Sequence, residues 1–366
     1  MLKRMISKER LCKIEKELST DDARMLVALT IKNIFTPERA ALAPLAGVTD
    51  SVFRRICVGF GACPVMTEMV SSEGYIRAKH SDKTSQFLMF SESERPIGFQ
   101  FFGADPVVMA EAAQKAQDLK PDFIDINAGC PVKKVVSKGS GSALLRNPRL
   151  LAQIVEKVAG VSKIPVTVKI RSGWDAASIN VVEVACRCAD SGAQAVIVHP
   201  RTKSQGFSGV SNWHLIRSVR ENITIPVVGS GDIKTADDAL RMKKETGVDY
   251  VMVGRSAMRN PWIFRDIKER LTGKTVSKPP DIIKKLELLL KQLDQLAEEK
   301  TERFAVLKMR NFFGWYSQGT RGSAAFRQKL FKAETIEEVK KIVRDFQAEL
   351  KKKNTFDKSY IEMVIS

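Results

Sequence analysis

A (β/α)8 barrel of the TIM type, followed by an all-helical region, is the fold the sequence predicts, and three observations predict it. Between residues 39 and 265 one rhythm recurs: a short apolar run, a turn, then a stretch with helical patterning. The runs number eight, at 40–47, 63–70, 96–103, 123–129, 165–173, 195–201, 226–232 and 250–258. Strands that alternate with helices call for a parallel sheet, and eight is the number that closes one into a barrel. Beyond them no strand-like run recurs. The alternative is an open doubly wound sheet, but no strand–GxGxxG–helix unit with a following acidic residue is present.

Taken in order, most of the runs are rich in Val, Ile or Phe and end in Gly or a polar residue, as strands that deliver the chain to a loop do. Stretches such as 105–119 and 147–158 read as the intervening helices. The polar segment Thr272-Gly-Lys-Thr-Val-Ser-Lys-Pro-Pro280 reads as a linker. After it, Ile282, Ile283, Leu286, Leu289, Leu290, Leu293 and Leu296 repeat with a 3.6-residue period. Residues 319–322 mark a turn, and Thr335-Ile-Glu-Glu338 fits a capping box that opens a last amphipathic helix. Leu2, Met5, Ile6, Leu11, Ile14 and Leu18 could line one side of a basic helix, and Met25 is an alternative start. The expected division is an extension at 1–28, a barrel at 29–270, a helical domain at 281–353 and a tail at 354–366.

Composition narrows the partners. The 366 residues carry a formal charge of +18, which favours a polyanion. Residues 266–366 hold 22 Lys+Arg against 15 Asp+Glu, a net of +7, so the basic surface is shared with the barrel and RNA would touch both parts. No run of about 18 apolar residues exists to span a membrane, and the charged first ten residues do not resemble a secretory signal. A cytoplasmic monomer is the expectation. Six cysteines (Cys12, Cys57, Cys63, Cys130, Cys186, Cys188) show no CxxC pair, and there are three histidines, so neither a metal site nor a disulfide framework is expected.

Active sites of such barrels lie at the C-terminal ends of the strands. In Asp122-Phe-Ile-Asp-Ile-Asn-Ala-Gly-Cys-Pro131, strand alternation puts Asp125 and Asn127 on one face, inward, and Gly129 turns the chain so that Cys130 stands over the opening. A thiol there can donate a proton or act as a nucleophile. In Pro165-Val-Thr-Val-Lys-Ile-Arg-Ser-Gly173, Thr167, Lys169 and Arg171 share the inward face. A buried lysine needs a partner, either an electron-rich ligand or Asp125. His199 and Arg201 share a face at the end of the next strand. Val228-Gly-Ser-Gly-Asp232 and Val253-Gly-Arg-Ser256 end strands seven and eight, where backbone amides often form a phosphate site. The Lys-Gly-Ser-Gly-Ser-Ala stretch from Lys138 lacks the phosphate-loop pattern and reads as an active-site loop. A phosphate-bearing cofactor over an inward lysine, with a thiol opposite, points to flavin mononucleotide.

Together these motifs carry a resemblance. Ala43-Pro-Leu-Ala-Gly-Val-Thr-Asp50, Thr67-Glu-Met-Val-Ser-Ser72, Asp125-Ile-Asn-Ala-Gly-Cys-Pro131, Lys169-Ile-Arg-Ser-Gly-Trp174 and the Gly231-Asp232 and Gly254-Arg255 strand ends resemble the tRNA-dihydrouridine synthase family, its B-type bacterial subfamily most closely, from about Leu29 to the region of Phe346. The resemblance implies an FMN-binding barrel with a C-terminal helical domain that binds tRNA, with ribosomal RNA as a second candidate. It implies that Pro44, Leu45 and Ala46 run along the flavin, that Gln100 and Lys169 contact its ring, that His199 lies near the flavin or the uracil, and that Ser230, Gly231, Asp232, Gly254 and Arg255 hold the phosphate. It places Asn127, Arg171 and Arg201 on the substrate side. The implied chemistry is reduction of FMN by NADPH, hydride transfer from flavin N5 to uracil C6, and a proton from Cys130 to C5. Ser230 stands where the family often has Asn, Pro200 where it has Gly, and Ala128 where Met is frequent; none of these removes a catalytic group. A flavin barrel acting on a small molecule would need neither the +18 charge nor the helical region.

Overall fold

The computed structural model describes residues 31–78 and 86–365, with side chains as far as 352. The expected extension at 1–28 and the side chains of the tail lie outside these. The barrel strands are β1 (Ala40–Leu42), β2 (Val65–Met66), β3 (Val70–Ser71), β4 (Ile97–Phe102), β5 (Phe123–Ala128), β6 (Val166–Arg171), β7 (Ala195–His199), β8 (Val227–Ser230) and β9 (Tyr250–Val253). All pair in parallel, in the order β1-β9-β8-β7-β6-β5-β4-β2, with β3 also on β4. Two backbone bonds just before β2, Cys63 N–H to the Ala40 carbonyl and Leu42 N–H to that of Pro64, bring the ends of this path together into a nearly closed ring. The expected second strand is thus two short ladders on one neighbour. Between them, Thr67 turns its hydroxyl to the Gln100 amide at 3.2 Å.

The helices around the ring are α1 (Ser51–Gly59), α2 (Ser72–Arg77), α3 (Pro106–Ala116), α4 (Lys133–Val136), α5 (Pro148–Val161), α6 (Val181–Asp190), α7 (Trp213–Asn222), α8 (Ala236–Thr246), α9 (Arg255–Arg259) and α10 (Ile263–Leu271). Local chemistry starts and stops them. Asp105 caps α3 by accepting from the Val107 and Val108 amides ahead of a first-turn proline, and Thr235 and Asp238 form a reciprocal capping box on α8. Gly247, at φ +69°, ends α8 in the left-handed conformation glycine adopts most readily. The last strand is shorter than the sequence predicts, because α9 takes over directly after Gly254.

The lumen has two levels. Ala41, Met66, Phe123, Ala195, Ile197, Val228, Tyr250 and Met252 form an apolar core distinct from the one under the helices, with Phe35 packed on Phe123 and Tyr250 at its N-terminal end. Above it stand polar side chains. Gly98 makes room for this packing: a Cβ there would lie 2.3 Å from the Phe123 ring. Gly98→Ala is therefore expected to destabilise the protein by about 1–3 kcal/mol through overpacking, read as a lower urea midpoint at unchanged m-value.

Helices α11 (Ile282–Glu299), α12 (Glu302–Ser317), α13 (Ser323–Lys332) and α14 (Ile336–Ile365) follow. The predicted stripe is realised, since Leu286, Leu289, Leu293 and Leu296 are all buried. The Thr335 hydroxyl accepts from the Glu338 amide as expected, but the Glu338 carboxylate takes the amide of Glu334 rather than that of Thr335, so half of the capping box forms. Phe312 of α12 packs on Phe53 of α1 with ring centres 5.3 Å apart, and Lys308 reaches Asp50, the cap of α1, at 2.9 Å. The helical region thus lies beside elements that follow β1 and β9 at the C-terminal mouth of the barrel. Among the described residues no helix is long and apolar enough to cross a membrane.

Candidate active site

The mouth is organised around Asn127. As β5 ends, its side-chain oxygen accepts from the amides of Gly129 (3.1 Å) and Cys130 (2.9 Å), which fixes the turn that carries the thiol. Its amide nitrogen donates to Gln100 at 2.8 Å, and Gln100 in turn donates to Asp125 at 2.6 Å. Thr167 donates to the other Asp125 oxygen. A chain of polar side chains thus crosses three strands, with Asp125 fully enclosed. Burial raises the Asp125 carboxyl to about 7, against the lowering effect of its Thr167 and Gln100 hydrogen bonds and of Lys169.

Cys130 is 9% exposed. Burial raises its thiol, partly offset by the Val132 backbone and by Arg171 and Lys169. At neutral pH it therefore carries its proton. The loop after it packs closely. Gly141, at φ +61°, sits where a Cβ would lie 2.8 Å from the Cys130 carbonyl oxygen, and Ser142 N–H donates to that oxygen at 3.0 Å. The glycine-rich stretch from Lys138 is thus the backing of the thiol turn.

Lys169 lies level with Asn127 in the β5–β6 register. Burial, reinforced by Arg171, lowers its amine to about 8. Asp125 is held by Gln100 and Thr167, and Lys169 forms neither a hydrogen bond nor an ion pair among the described residues, so the internal pairing with Asp125 left open by the sequence is not made. It keeps partial exposure toward the mouth. His199, level with Arg171, is 8% exposed, and its Nε2 is buried without a partner. Burial, then the positive charges of Lys169, Arg171 and Arg201, push its imidazole down to about 2, so it is neutral. An amine and a ring nitrogen without protein partners, on the adjacent strands β6 and β7, fit a polar, electron-rich ligand.

The arginines brace loops. Arg171 donates from Nε to the Gly129 carbonyl (2.8 Å) and from Nη1 to those of Thr202 and Gly206 (2.9 and 2.8 Å), tying the thiol turn to the loop after β7. Its guanidinium is lowered to about 10, chiefly by burial, and stays charged at neutral pH. All the hydrogen bonds of Arg201 are internal: it donates to Ser208, Gly209 and Ser211 and pairs with Asp232 at 2.8 Å. Phe207 stands 54% exposed at this rim, with the Arg171 and Arg255 guanidinium carbons 5.5 and 4.6 Å from its ring centre.

The two glycine turns neighbour each other through β8 and β9. Gly231 has φ +117° and Asp232 φ +56°, so the backbone leaves the end of β8 through two successive positive-φ residues. The Asp232 carboxylate is taken by Arg201, Arg255 and the Ser211 amide, which leaves its backbone as the part suited to an anion. Gly254 opens toward Ala43 and Leu45, where a Cβ would meet only ordinary contacts at 3.6 and 3.9 Å. At Gly231 an added Cβ would meet Ser211 Oγ at 2.7 Å and His199 Nδ1 at 2.9 Å. Gly231→Ala is expected to strain this turn by about 1–3 kcal/mol, measurable as a fall in melting temperature. Pro44 and Leu45 are half-buried and Ala46 exposed along the loop after β1, whose Gly47 amide is held by the buried Glu68 carboxylate at 2.5 Å. The unpartnered His199 nitrogen and Lys169 amine and the two glycine turns are groups that suit a phosphate-bearing polar cofactor.

The sequence pattern brought Cys130, Lys169, Arg171, His199 and both glycine turns to one mouth. It missed Glu68, whose signal was an acid at a strand end inside Thr67-Glu-Met, and Ser211, which carries no local signal. Cys188 is buried and Cys186 partly exposed on α6, the opposed orientations their spacing predicts.

A parallel eight-stranded barrel with a buried thiol, a partly exposed lysine and a buried histidine at its C-terminal mouth places the chain among barrel proteins that gather reactive side chains at the strand ends. Comparison with known proteins identifies its kind. The family model for dihydrouridine synthases matches residues 41–353. The tRNA-dihydrouridine synthase B of Pseudomonas aeruginosa is 38% identical over 320 residues, covering 87% of this chain and 96% of that protein. A probable tRNA-dihydrouridine synthase 1 of Synechocystis is 37% identical over 316 residues, 86% of this chain and 88% of its own. The chain belongs to the dihydrouridine synthase family. Among solved structures, morphinone reductase aligns over 66% of this chain and 87% of its own at 14% identity and a TM-score of 0.44.

Proposed function

We propose that this protein reduces uridine in folded RNA, transfer RNA above all, to 5,6-dihydrouridine, with FMN as cofactor and NADPH as reductant, in the cytoplasm. The observation that carries the reading is the meeting of a protonated thiol, a lysine without a protein partner and an orphaned histidine nitrogen at one mouth, in a chain of this family. Relatives named as tRNA-dihydrouridine synthases supply the RNA class, and the charge of +18 suits it.

In this reading the backbone of Ser230, Gly231, Asp232, Gly254 and Arg255 holds the phosphate. Pro44, Leu45 and Ala46 flank the ring, and Gln100, Lys169 and His199 meet its polar edge. When bound, FMN carries the electron pair that NADPH supplies, for delivery to uracil C6. Cys130 holds the proton that C5 receives. The Lys169 charge favours an electron-rich partner, while neutral His199 contributes a hydrogen bond without further charge. Asn127 and Arg171 orient the base and the thiol turn together, and Arg201 braces the loop over them. A stacked base cannot reach such a mouth and must be turned out. The helices at 281–353 form a domain that grips the RNA through backbone and shape, together with the basic rim.

The visible spectrum of the full chain after FMN is added tests the cofactor assignment. A shifted, saturable flavin band is expected; an unperturbed spectrum would remove the mechanism. Binding of an unmodified tRNA transcript is expected to weaken steeply as salt rises, and a flat response would separate the +18 charge from RNA recognition.

A further inference from the structure

Trp213, the first residue of α7, takes no part in the chemistry described above, yet its indole N–H reaches the turn after β8. It donates to the Gly231 carbonyl at 3.0 Å. The ring is anchored where it stands. It is partly buried against the main hydrophobic core, and the Arg241 guanidinium carbon lies 4.8 Å from its centre. Arg241 is itself paired with Asp238 at 3.2 Å. A large aromatic ring would satisfy the packing; the N–H adds a bond aimed at one backbone carbonyl.

What that bond fixes follows from peptide geometry. A trans peptide unit is planar, and its carbonyl and N–H point in opposite directions. The Gly231–Asp232 bond is trans, so a donor seated on the Gly231 carbonyl sets the opposite aim of the Asp232 amide. That amide makes no hydrogen bond among the described residues. The groups around it are engaged. The Asp232 carboxylate, which would repel an anion, is neutralised by Arg201 at 2.8 Å and Arg255 at 3.5 Å and accepts from the Ser211 amide at 2.8 Å. The Ile233 carbonyl takes the Ser256 hydroxyl at 2.6 Å, which ties the outgoing chain to α9. Glycine has little preference between backbone orientations, so a peptide unit that follows Gly231 needs an outside contact to choose one. Trp213 supplies it.

We infer that Trp213 is a positioning residue for the cofactor phosphate: by holding the Gly231 carbonyl, it keeps the Asp232 amide turned toward the anion. The inference rests on the phosphate site proposed above and deepens it. It makes the start of α7 a determinant of selectivity for a phosphorylated flavin over the same ring system without a phosphate.

The test titrates the full flavin-free chain with FMN and, separately, with riboflavin, which has the same ring and no phosphate. Flavin fluorescence reports binding, and the ratio of the two affinities isolates the phosphate contribution. Trp213→Phe keeps an aromatic ring and loses the N–H. It is expected to weaken FMN binding by roughly 10- to 100-fold, the range for one hydrogen bond to a charged group, and to leave riboflavin binding unchanged. Trp213→benzothienylalanine keeps the shape of the indole and puts sulfur in place of the N–H, so it should show the same selective loss at an unaltered melting temperature. If both variants hold FMN as tightly as the unaltered chain, Trp213 does not position the phosphate site. It is equally excluded if FMN and riboflavin affinities fall together in step with melting temperature, since that is the mark of a residue that serves folding alone. If the unaltered chain binds riboflavin as tightly as FMN, it is the phosphate site beneath the inference that falls.

Discussion

Replacing Cys130 by alanine is expected to leave FMN bound and reducible by NADPH, while reoxidation of the reduced flavin by tRNA slows by about 10²- to 10⁴-fold, the usual contribution of a positioned general acid. The change is local. The Asn127 side chain holds the Cys130 amide, Gly141 backs its carbonyl, and the turn is tied to Arg171 through Gly129, so the backbone of the variant has every reason to stay in place. Only the proton source is lost. The same burial that keeps the thiol protonated sets the pH response. A group whose value is raised keeps its proton until pH passes that raised value, so the RNA half-reaction should hold through neutrality and fall only above the ordinary thiol range. A stopped-flow pH series checks this. An alkaline limb that begins near neutrality, or turnover unaffected by Cys130→Ala, would show that the proton comes from elsewhere.

The second large effect concerns stability. Arg54 and Glu94 are 1% and 0% exposed, with Nε 2.5 Å from the carboxylate. Arg54 also donates to the carbonyls of Thr49 (2.7 Å) and Met89 (2.8 Å), and Glu94 accepts from Ser51 Oγ (2.5 Å) and the Ser91 amide (2.8 Å). Every strong group is satisfied, so removing one partner leaves an enclosed charge and idle carbonyls. Arg54→Ala and Glu94→Ala are each expected to cost about 3–5 kcal/mol, and the double replacement Arg54→Met with Glu94→Leu markedly less than the sum of the two. Urea midpoints at constant m-value measure this. Single losses below about 1 kcal/mol, or strictly additive ones, would mean that the pair is dispensable.

Much of this architecture is legible in the residues, because barrel strands announce themselves by short β-branched runs and by polar residues at period two. Asp125 and Asn127, and likewise Thr167, Lys169 and Arg171, face inward as alternation requires. Pattern does not tell which inward groups meet. That Asp125 is held by Gln100 and Thr167 rather than by Lys169 depends on the register of three strands, and this is set by packing between segments about 25 to 42 residues apart. By resemblance Arg201 reads as a substrate-side contact and Asp232 as part of a phosphate site; folding turns their side chains into each other's partner. The Arg54–Glu94 pair leaves no trace in the sequence, since its members lie 40 residues apart and neither belongs to a periodic pattern. The split of the second strand and the early start of α9 are boundary effects: the Thr67 hydroxyl takes the Gln100 amide, the Gly254 carbonyl takes the Ala257 amide, and a hydropathy pattern does not register either bond.

Incubation of the FMN-loaded chain with NADPH and an unmodified tRNA transcript, followed by nuclease digestion and mass spectrometry of the nucleosides, asks whether this mouth reduces uracil. Dihydrouridine is expected to accumulate with time, in proportion to NADPH consumed, and to be absent when FMN is withheld. NADPH oxidation with no dihydrouridine in the RNA, or dihydrouridine formed without bound flavin, would contradict the assignment of the barrel mouth to that reaction.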